Sequence, residues 1–598
     1  MEPTAEPFNP PRASYPRWQT ALCAAALVLL VFATFFPALR AGFVAFDDEQ
    51  SVYGNPFLNP VTAQTLPRFW GEAYYQLYTP VTSTLWAAVA ALPAARLPTA
   101  VPVPAGGAAT LSAAPFHTLG VAVHAANALL VFVIVLRLPL LRGRSPLYAA
   151  CGAAAFAICP LQAESVAWVT GNNNVFGGFF LFAALLCTVR WIAADRTRNG
   201  WYFAATGLFL LALLAKPTAA VLPLVAFALA TLVYRVPARA LLLPFGVWLL
   251  LAGALLFVTQ NTTDPVTDVS LPVWQRPFVA GDALAFYAAK LVLPVSLGID
   301  YGRKPEWLRG QGWFYAAWLV PAAIGTGLAF WHRRTGSDTA RYLLAGAAVF
   351  LAGVAPTLGF AVYYFQRFST VADRYVYVAL LGVAVAVAAA LTRTNRRVSL
   401  PTAAVVLGIW AVLCARQTAV WHDSETLYTH AIRVNGRSRV AHHDLALALN
   451  DRGDTTGAIR EEYVAQACPS EGHNLDAAVH GSQGALLFRA HRYAESAREY
   501  VRAITIAPEQ PEAYWNLAVS QLALGDRRGA ERTLAAAASI GNRADAVYNT
   551  GVVMLSCGAD ELAAPYLREA ARGGSHAADA ARLLARIPQG KSGTISAP

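Results

Sequence analysis

Apolar residues recur in runs of roughly 18–20, the length that crosses a bilayer core of about 30 Å as a helix. They fall at about 21–39, 117–136, 147–159, 175–193, 201–215, 217–234, 239–258, 313–331, 341–361, 374–392 and 398–415. The third and fifth are short. A further stretch, 283–298 (ALAFYAAKLVLPVSLG), is interrupted by Lys290 and Pro294. From residue 424 the runs give way to Ala-rich amphipathic helices with Gly-Asp turns. The pattern predicts an all-α protein: a polytopic transmembrane helical bundle, residues 21–416, followed by an α-solenoid, residues 424–587.

The solenoid has a period of about 34 residues, that of tetratricopeptide repeats. One unit places Tyr514, Leu517, Ala518, Gly525-Asp526, Ala530, Leu534 and Ala537 at the repeat's large and small positions. His442, Leu445, Ala446, Gly453-Asp454 and Ala458 mark an earlier unit, Gly484, Tyr493, Tyr500 and Ala503 another, and Tyr548, Gly551, Ala563 and Leu567 a last one. Stacking buries what one unit cannot bury alone, and the concave face suits an extended peptide. A leading helix, SETLYTHAIRV, is expected to cap the array, and residues 588–598 to form a disordered tail.

Composition fits the membrane reading: of 598 residues 56% are hydrophobic and 14% charged, against roughly 25% charged in globular domains. The net charge of +11 does not point to nucleic acid, because no basic-aromatic platform accompanies it. The basic residues sit in short loops, where they set orientation. With the N-terminal segment 1–20 inside as part of an uncleaved anchor, the inside loops hold Arg137/Arg142/Arg144, Arg190/Arg196/Arg198 and Arg235/Arg239. If 283–298 does not cross, Arg333/Arg334/Arg341 and Arg393/Arg396/Arg397 join them. The expectation is therefore about eleven crossings, with 283–298 re-entrant or interfacial. The loop 40–116, Glu164, Lys216, residues 259–312, Arg367–Arg374 and everything after 416 then lie outside, which means the periplasmic face of a bacterial inner membrane, or a lumen if the cell has one. The outer loop carries rings suited to headgroup level (Trp70, Tyr74, Tyr75, Tyr78, Trp86), read as one or two interfacial helices, then a flexible connector, LPTAVPVPAGGAAT. The cysteines show no CxxC pairing and read as small buried hydrophobes.

Asp47-Asp48, just beyond the first span, is the leading chemical feature, since carboxylates are costly at a membrane boundary. Either one could equally cap a short loop helix. Around it lie FVAFDDEQSVYGNPFL, YTPVTSTLW, PFHTLGVAVHAANALLVF, AFAICPLQAESVAWVTGNNNVF, LLAKPTAAVLPL, FYAAKLVLP, VADRYVYVALLG and WHDSETLYTHAI, in order over almost the whole chain. This ordered set resembles the GT-C superfamily of polytopic glycosyltransferases that bear tetratricopeptide repeats, including the transmembrane and tetratricopeptide-repeat O-mannosyltransferases. Cys159 and Gln162 stand where such relatives usually carry histidines, Asn172-Asn173-Asn174 where they often carry an Arg or acidic residue, and Thr79 where they carry an Arg.

The resemblance implies inverting transfer of a hexose, such as mannose, from a polyprenyl-phosphate donor to a hydroxyl acceptor, often a protein Ser or Thr held by the repeats. Asp47 corresponds to the family's catalytic aspartate, with Asp48 serving instead or orienting it. Glu164, Asn172, Asn173 and His117 would position acceptor or sugar hydroxyls. Arg374, Lys290, Lys216 and Arg303 would hold the lipid phosphate, and snorkelling to headgroups competes with that role. His117 and His124, on one helix face, read first as core hydrogen-bonding groups. No cofactor beyond the lipid-linked donor is called for. Glu164 with Asp47 makes a weak site for a divalent cation and no metal is expected. The competing reading is a catalytically silent scaffold whose repeats assemble envelope proteins. A transporter is disfavoured, because neither repeated spans nor a mid-span charged pair is evident.

Overall fold

The computed structural model describes residues 16–75, 77–102, 108–260, 271–537, 539–540, 543–556, 560–573 and 576–587. Part of the stretch 259–312 falls outside these residues, as do the whole tail 588–598 and the first fifteen positions. The chain forms two compact units, residues 1–435 and 436–598.

In the first unit, the eleven apolar runs all become helices. Six are long and apolar enough to cross a membrane among the described residues: Arg17–Thr34 (α1), Ala113–Leu136 (α4), Asn172–Ala193 (α7), Phe314–Thr335, Asp338–Thr357 and Arg396–Ala419 (α16). The chain is thus a membrane protein. Leu147–Ala157 (α5) and Pro160–Ala167 form one pair bent by 50°, because Pro160 cannot continue the ladder. Asn199–Ala215 (α8), Pro217–Leu232, Leu242–Val258 and Leu380–Leu391 (α15) are shorter apolar helices. Lys216 is extended, φ −155° and ψ 120°, as the residue before a proline prefers, and this separates the α8 helix from the one after it. The regular cores of the last two helical spans before α15 are Leu319–Thr335 (α13) and Asp338–Val354 (α14). α14 and α15 cross where Gly382 meets the backbone of Gly346 so closely that a Cβ would lie 2.2 Å from a carbonyl oxygen.

Of the stretch expected at 283–298, residues 283–292 are the second half of a helix that starts earlier, Arg276–Val292 (α11), and 293–298 are loop. It is not among the long apolar helices. Its start and its middle meet the segment 360–372: Arg276 Nη1 donates to Phe360 O at 2.6 Å, and Tyr287 OH donates to Ala372 O at 3.1 Å. In the loop after α1, the expected interfacial helices are Arg68–Gly71 (α2) and Pro80–Ala90 (α3). Trp70 is exposed but Trp86 is buried, so α3 packs inward with its ring. The flexible connector is corrected: its flanks, Arg96–Pro102 (β1) and Ala108–Leu111 (β2), pair as an antiparallel ribbon, and residues 103–107 lie outside the described residues.

The second unit contains helix pairs Arg439–Asp451/Thr455–Ala467, His473–Arg489/Tyr493–Ile506, Pro511–Ala523/Arg527–Ala537 and Arg543–Ser556/Asp560–Ala570, then Ala577–Leu584. These are the four units that the period predicts. Gly453 (φ +87°) and Gly525 (φ +81°) make the left-handed turns, and the aspartate after each caps the next helix, Asp454 on Gly457 N at 2.8 Å and Asp526 on Gly529 N at 2.9 Å. The helix expected to cap this array, Ser424–Val434 (α17), belongs to the first unit instead. Its polar groups bond there: Tyr428 OH to Ala45 O at 2.8 Å and Asn435 Nδ2 to Asp300 Oδ2 at 3.0 Å.

Candidate functional site

Loops that follow α1, α5 and α8 and the one that precedes α15 converge. At their meeting point the adjacent aspartates part company. Asp48 is buried at 1% exposure. Its Oδ2 accepts from Val44 N at 3.1 Å, and its Oδ1 from Thr170 N at 2.9 Å and Thr170 Oγ1 at 2.7 Å. It therefore ties the loop after α1 to the turn before α7. Burial pushes its carboxyl up to about 7 against these hydrogen bonds.

Asp47 is partly exposed, and its carboxylate accepts no hydrogen bond from the described residues. Its backbone is left-handed, φ +65°, a conformation that persists only when the surroundings dictate it. Burial raises its pKa, and the Arg374 charge opposes that rise. A carboxylate free of donors, lifted above its usual range and facing a cation, is a poised proton acceptor.

Glu164, on the short helix Ala163–Ala167 (α6), is buried and gives both oxygens to Arg374: Oε1 pairs with the guanidinium and Oε2 accepts from Arg374 N at 2.9 Å. Both Glu164 oxygens are thus taken by Arg374. The guanidinium also lies over Phe365 (4.1 Å) and Tyr375 (5.0 Å). Lys216 Nζ donates to Asn173 Oδ1 at 2.8 Å. Burial, reinforced by Arg374, pushes Lys216 down to about 7. Lys216 and Arg374 line one cavity of about 50 Å³ with Asn174, Thr218, Thr357 and Tyr375. That is room for a few waters.

Other expected site residues are engaged elsewhere. Asn172 is buried against Gly120, away from solvent. His117 is buried with Nε2 on Gly42 O at 3.1 Å, and His124 bonds Tyr377 OH and Ala157 O, the core role expected for both. Arg303 pairs with Asp282 and stacks over Trp313 at 4.9 Å. Lys290 Nζ donates to Val295 O (2.7 Å) and Ser296 O (3.0 Å), closing the end of α11. Lys290 and Arg303 thus hold the 282–303 segment together rather than lining the cavity.

Residues outside the expected set complete the layer. Asp373 accepts from Tyr301 OH at 2.7 Å, and burial and then Glu164 drive its pKa well up. Trp168 Nε1 donates to Phe46 O at 2.6 Å. The adjacency of Asp373 to Arg374 in VADRY was the visible signal for the first; nothing local marks Trp168 or Thr170. Among the described residues no group of three or more His, Cys, Asp or Glu side chains could hold a metal ion.

No family model and no curated protein matches the chain. Solved structures that resemble it include an oligosaccharyltransferase from Archaeoglobus fulgidus in apo form, at 13% identity over 77% of this chain and 61% of that one, TM-score 0.35. YrrB, a TPR protein with an unusual peptide-binding site, superposes at 17% identity over 32% of this chain and 97% of its own, TM-score 0.22. Pseudomonas aeruginosa pilF does so at 19% identity over 31% and 90%, TM-score 0.22. Superpositions this loose carry no functional weight; the chain's own residues must supply it.

Proposed function

We propose that this protein is an inverting membrane glycosyltransferase that moves a hexose from a polyprenyl-phosphate donor to a hydroxyl acceptor on the periplasmic face. The observation that carries the reading is Asp47: a donor-free carboxylate, raised by burial against the opposing charge of Arg374, whose guanidinium pairs with Glu164. An acceptor hydroxyl is a weak nucleophile until a base takes its proton. Asp47 receives that proton as the acceptor oxygen bonds to the sugar's C1. The bond from C1 to the phosphate oxygen breaks with its electron pair, and Lys216 and Arg374 stabilise the charge that gathers on the lipid phosphate.

An apolar groove of about 450 Å³ between α11, α13, α14 and α15, walled by Leu291, Ile324, Leu328, Leu344, Phe350 and Val383, supports an isoprenoid-chain donor. The repeats supply a concave surface for a protein acceptor, and Ser or Thr hydroxyls are the proposed targets.

Mass spectrometry of envelope glycoproteins tests the proposal. Removing the protein should deplete hexose-bearing Ser/Thr peptides, and the wild type but not Asp47→Asn should restore them. If no such peptide or lipid-linked glycan changes, the enzyme reading fails. If Asp47→Asn restores the cellular phenotype while a chain lacking 436–598 does not, the scaffold reading replaces it.

A further inference from the structure

The segment that leads out of the last span returns to the Asp47 loop and clamps it. Tyr428 OH donates to Ala45 O at 2.8 Å, and Ser424 Oγ accepts from Ala45 N at 2.9 Å. Both polar backbone groups of the residue two before Asp47 are thus taken by α17. His422 O accepts from Gly42 N at 2.9 Å. Trp421 stacks on Trp168 at 5.8 Å, Phe46 lies 4.8 Å from Trp168 and 6.4 Å from Trp421, and Trp168 Nε1 holds Phe46 O. Trp421 and Tyr428 are both buried, at 2% and 0% exposure. The strap has its own stop: Asp423 caps α17 through Thr426 N at 2.8 Å.

Every one of the bonds to the loop falls on residues 42–46, and the next residue, Asp47, has left-handed backbone. A non-glycine residue rarely adopts that region unless its neighbours hold it there. Asp48, fixed on Thr170, holds one side. We propose that Trp421, Ser424 and Tyr428 are positioning residues that hold the other side, so that the strap entering α17 sets the orientation and burial of the Asp47 carboxylate. The proposal rests on Asp47 being the base. It assigns the chain beyond the last span a part in the reaction centre apart from acceptor capture.

The test uses the full chain in phosphatidylethanolamine–phosphatidylglycerol nanodiscs, probed with dicyclohexylcarbodiimide, which modifies protonated carboxyl groups. Fragment-ion mass spectrometry reads the modification at Asp47 as a function of pH. In Tyr428→Phe, which keeps the buried ring, the loop relaxes toward water. The labelling midpoint should then fall by about one pH unit or more, toward the ordinary carboxylate range. Ser424→Ala, a milder change at a partly exposed position, should move it in the same direction, and Arg433→Gln on the exposed face of α17 should not. Hexose transfer in cells, at equal protein level, should fall about tenfold in Tyr428→Phe. A midpoint unchanged in both strap variants overturns the positioning role whatever the transfer assay reads. Full transfer by Asp47→Asn, measured in a separate strain, overturns the base assignment and the strap's part in transfer with it.

Discussion

The Asp47 loop layer and the repeats treat charge in opposite ways. In the repeats, three histidines each meet a glutamate across a helix hairpin: His442 with Glu461, His443 with Glu462 and His480 with Glu499, at 2.8, 2.9 and 2.7 Å, all nineteen positions apart. Aspartates sit at helix starts, where the backbone donors need them. In the loop layer, four acids (Asp47, Asp48, Glu164, Asp373) gather around two cations (Arg374, Lys216), and only Glu164 and Arg374 neutralise each other directly. The first arrangement stabilises structure. The second lifts Asp47, Asp48 and Asp373 above the ordinary carboxylate range, chiefly by burial, the direction a proton acceptor requires.

Substitutions sharpen that contrast. Asp47→Asn should lower hexose transfer by roughly 10²–10⁴-fold while leaving the thermal midpoint almost unmoved, because the carboxylate holds no bond; equal losses of both would make Asp47 structural. Arg374→Ala leaves Glu164 charged and buried and should cost about 3–5 kcal/mol, read by thermal unfolding in detergent. Glu164→Gln in the same background should recover part of that.

The pH responses should differ in window though not in sign. Asp48, raised to about 7 from 3.8, is protonated more readily when folded, so stability should fall as pH rises between these values. Asp48→Asn should flatten that slope. For His443, burial lowers the pKa but Glu462 overrides it, and the net shift is upward. Its contribution is therefore complete below 6.5 and lost as pH climbs through the raised value. His443→Gln should remove that loss, seen in unfolding of the full chain above pH 6.5. Asp526→Ala, deleting a cap within the repeats, should cost only about 1 kcal/mol by the same measurement and leave transfer unchanged.

The same contrast governs how much of the molecule is legible in its sequence. The repeats are local: cap, turn and packing positions recur within one hairpin, so their phase and four-unit count can be read directly. The spans are legible too, since each is set by its own apolar run. The loop layer is not local. Asp48 meets Thr170 across 122 positions and Ala45 meets Tyr428 across 383. Composition shows that a carboxylate pair sits at a membrane boundary; it does not show which of the two is tied down. The same limit placed α17 with the repeats, because its amphipathic pattern fits either neighbour, and left Lys290 and Arg303 as phosphate ligands, because an unpaired cation and one holding a carbonyl or Asp282 look alike in sequence.

Transfer to a peptide held by the repeats requires that Asp47 and the repeats open into one aqueous compartment. Single cysteines at 77, 336 and 528, probed on intact spheroplasts with a membrane-impermeant maleimide, test this most directly. Labelling at 77 and 528 with protection at 336 until the membrane is opened is the expected result. If 77 and 528 label from opposite sides, a peptide held by the repeats could not reach Asp47, and the proposed transfer would be contradicted.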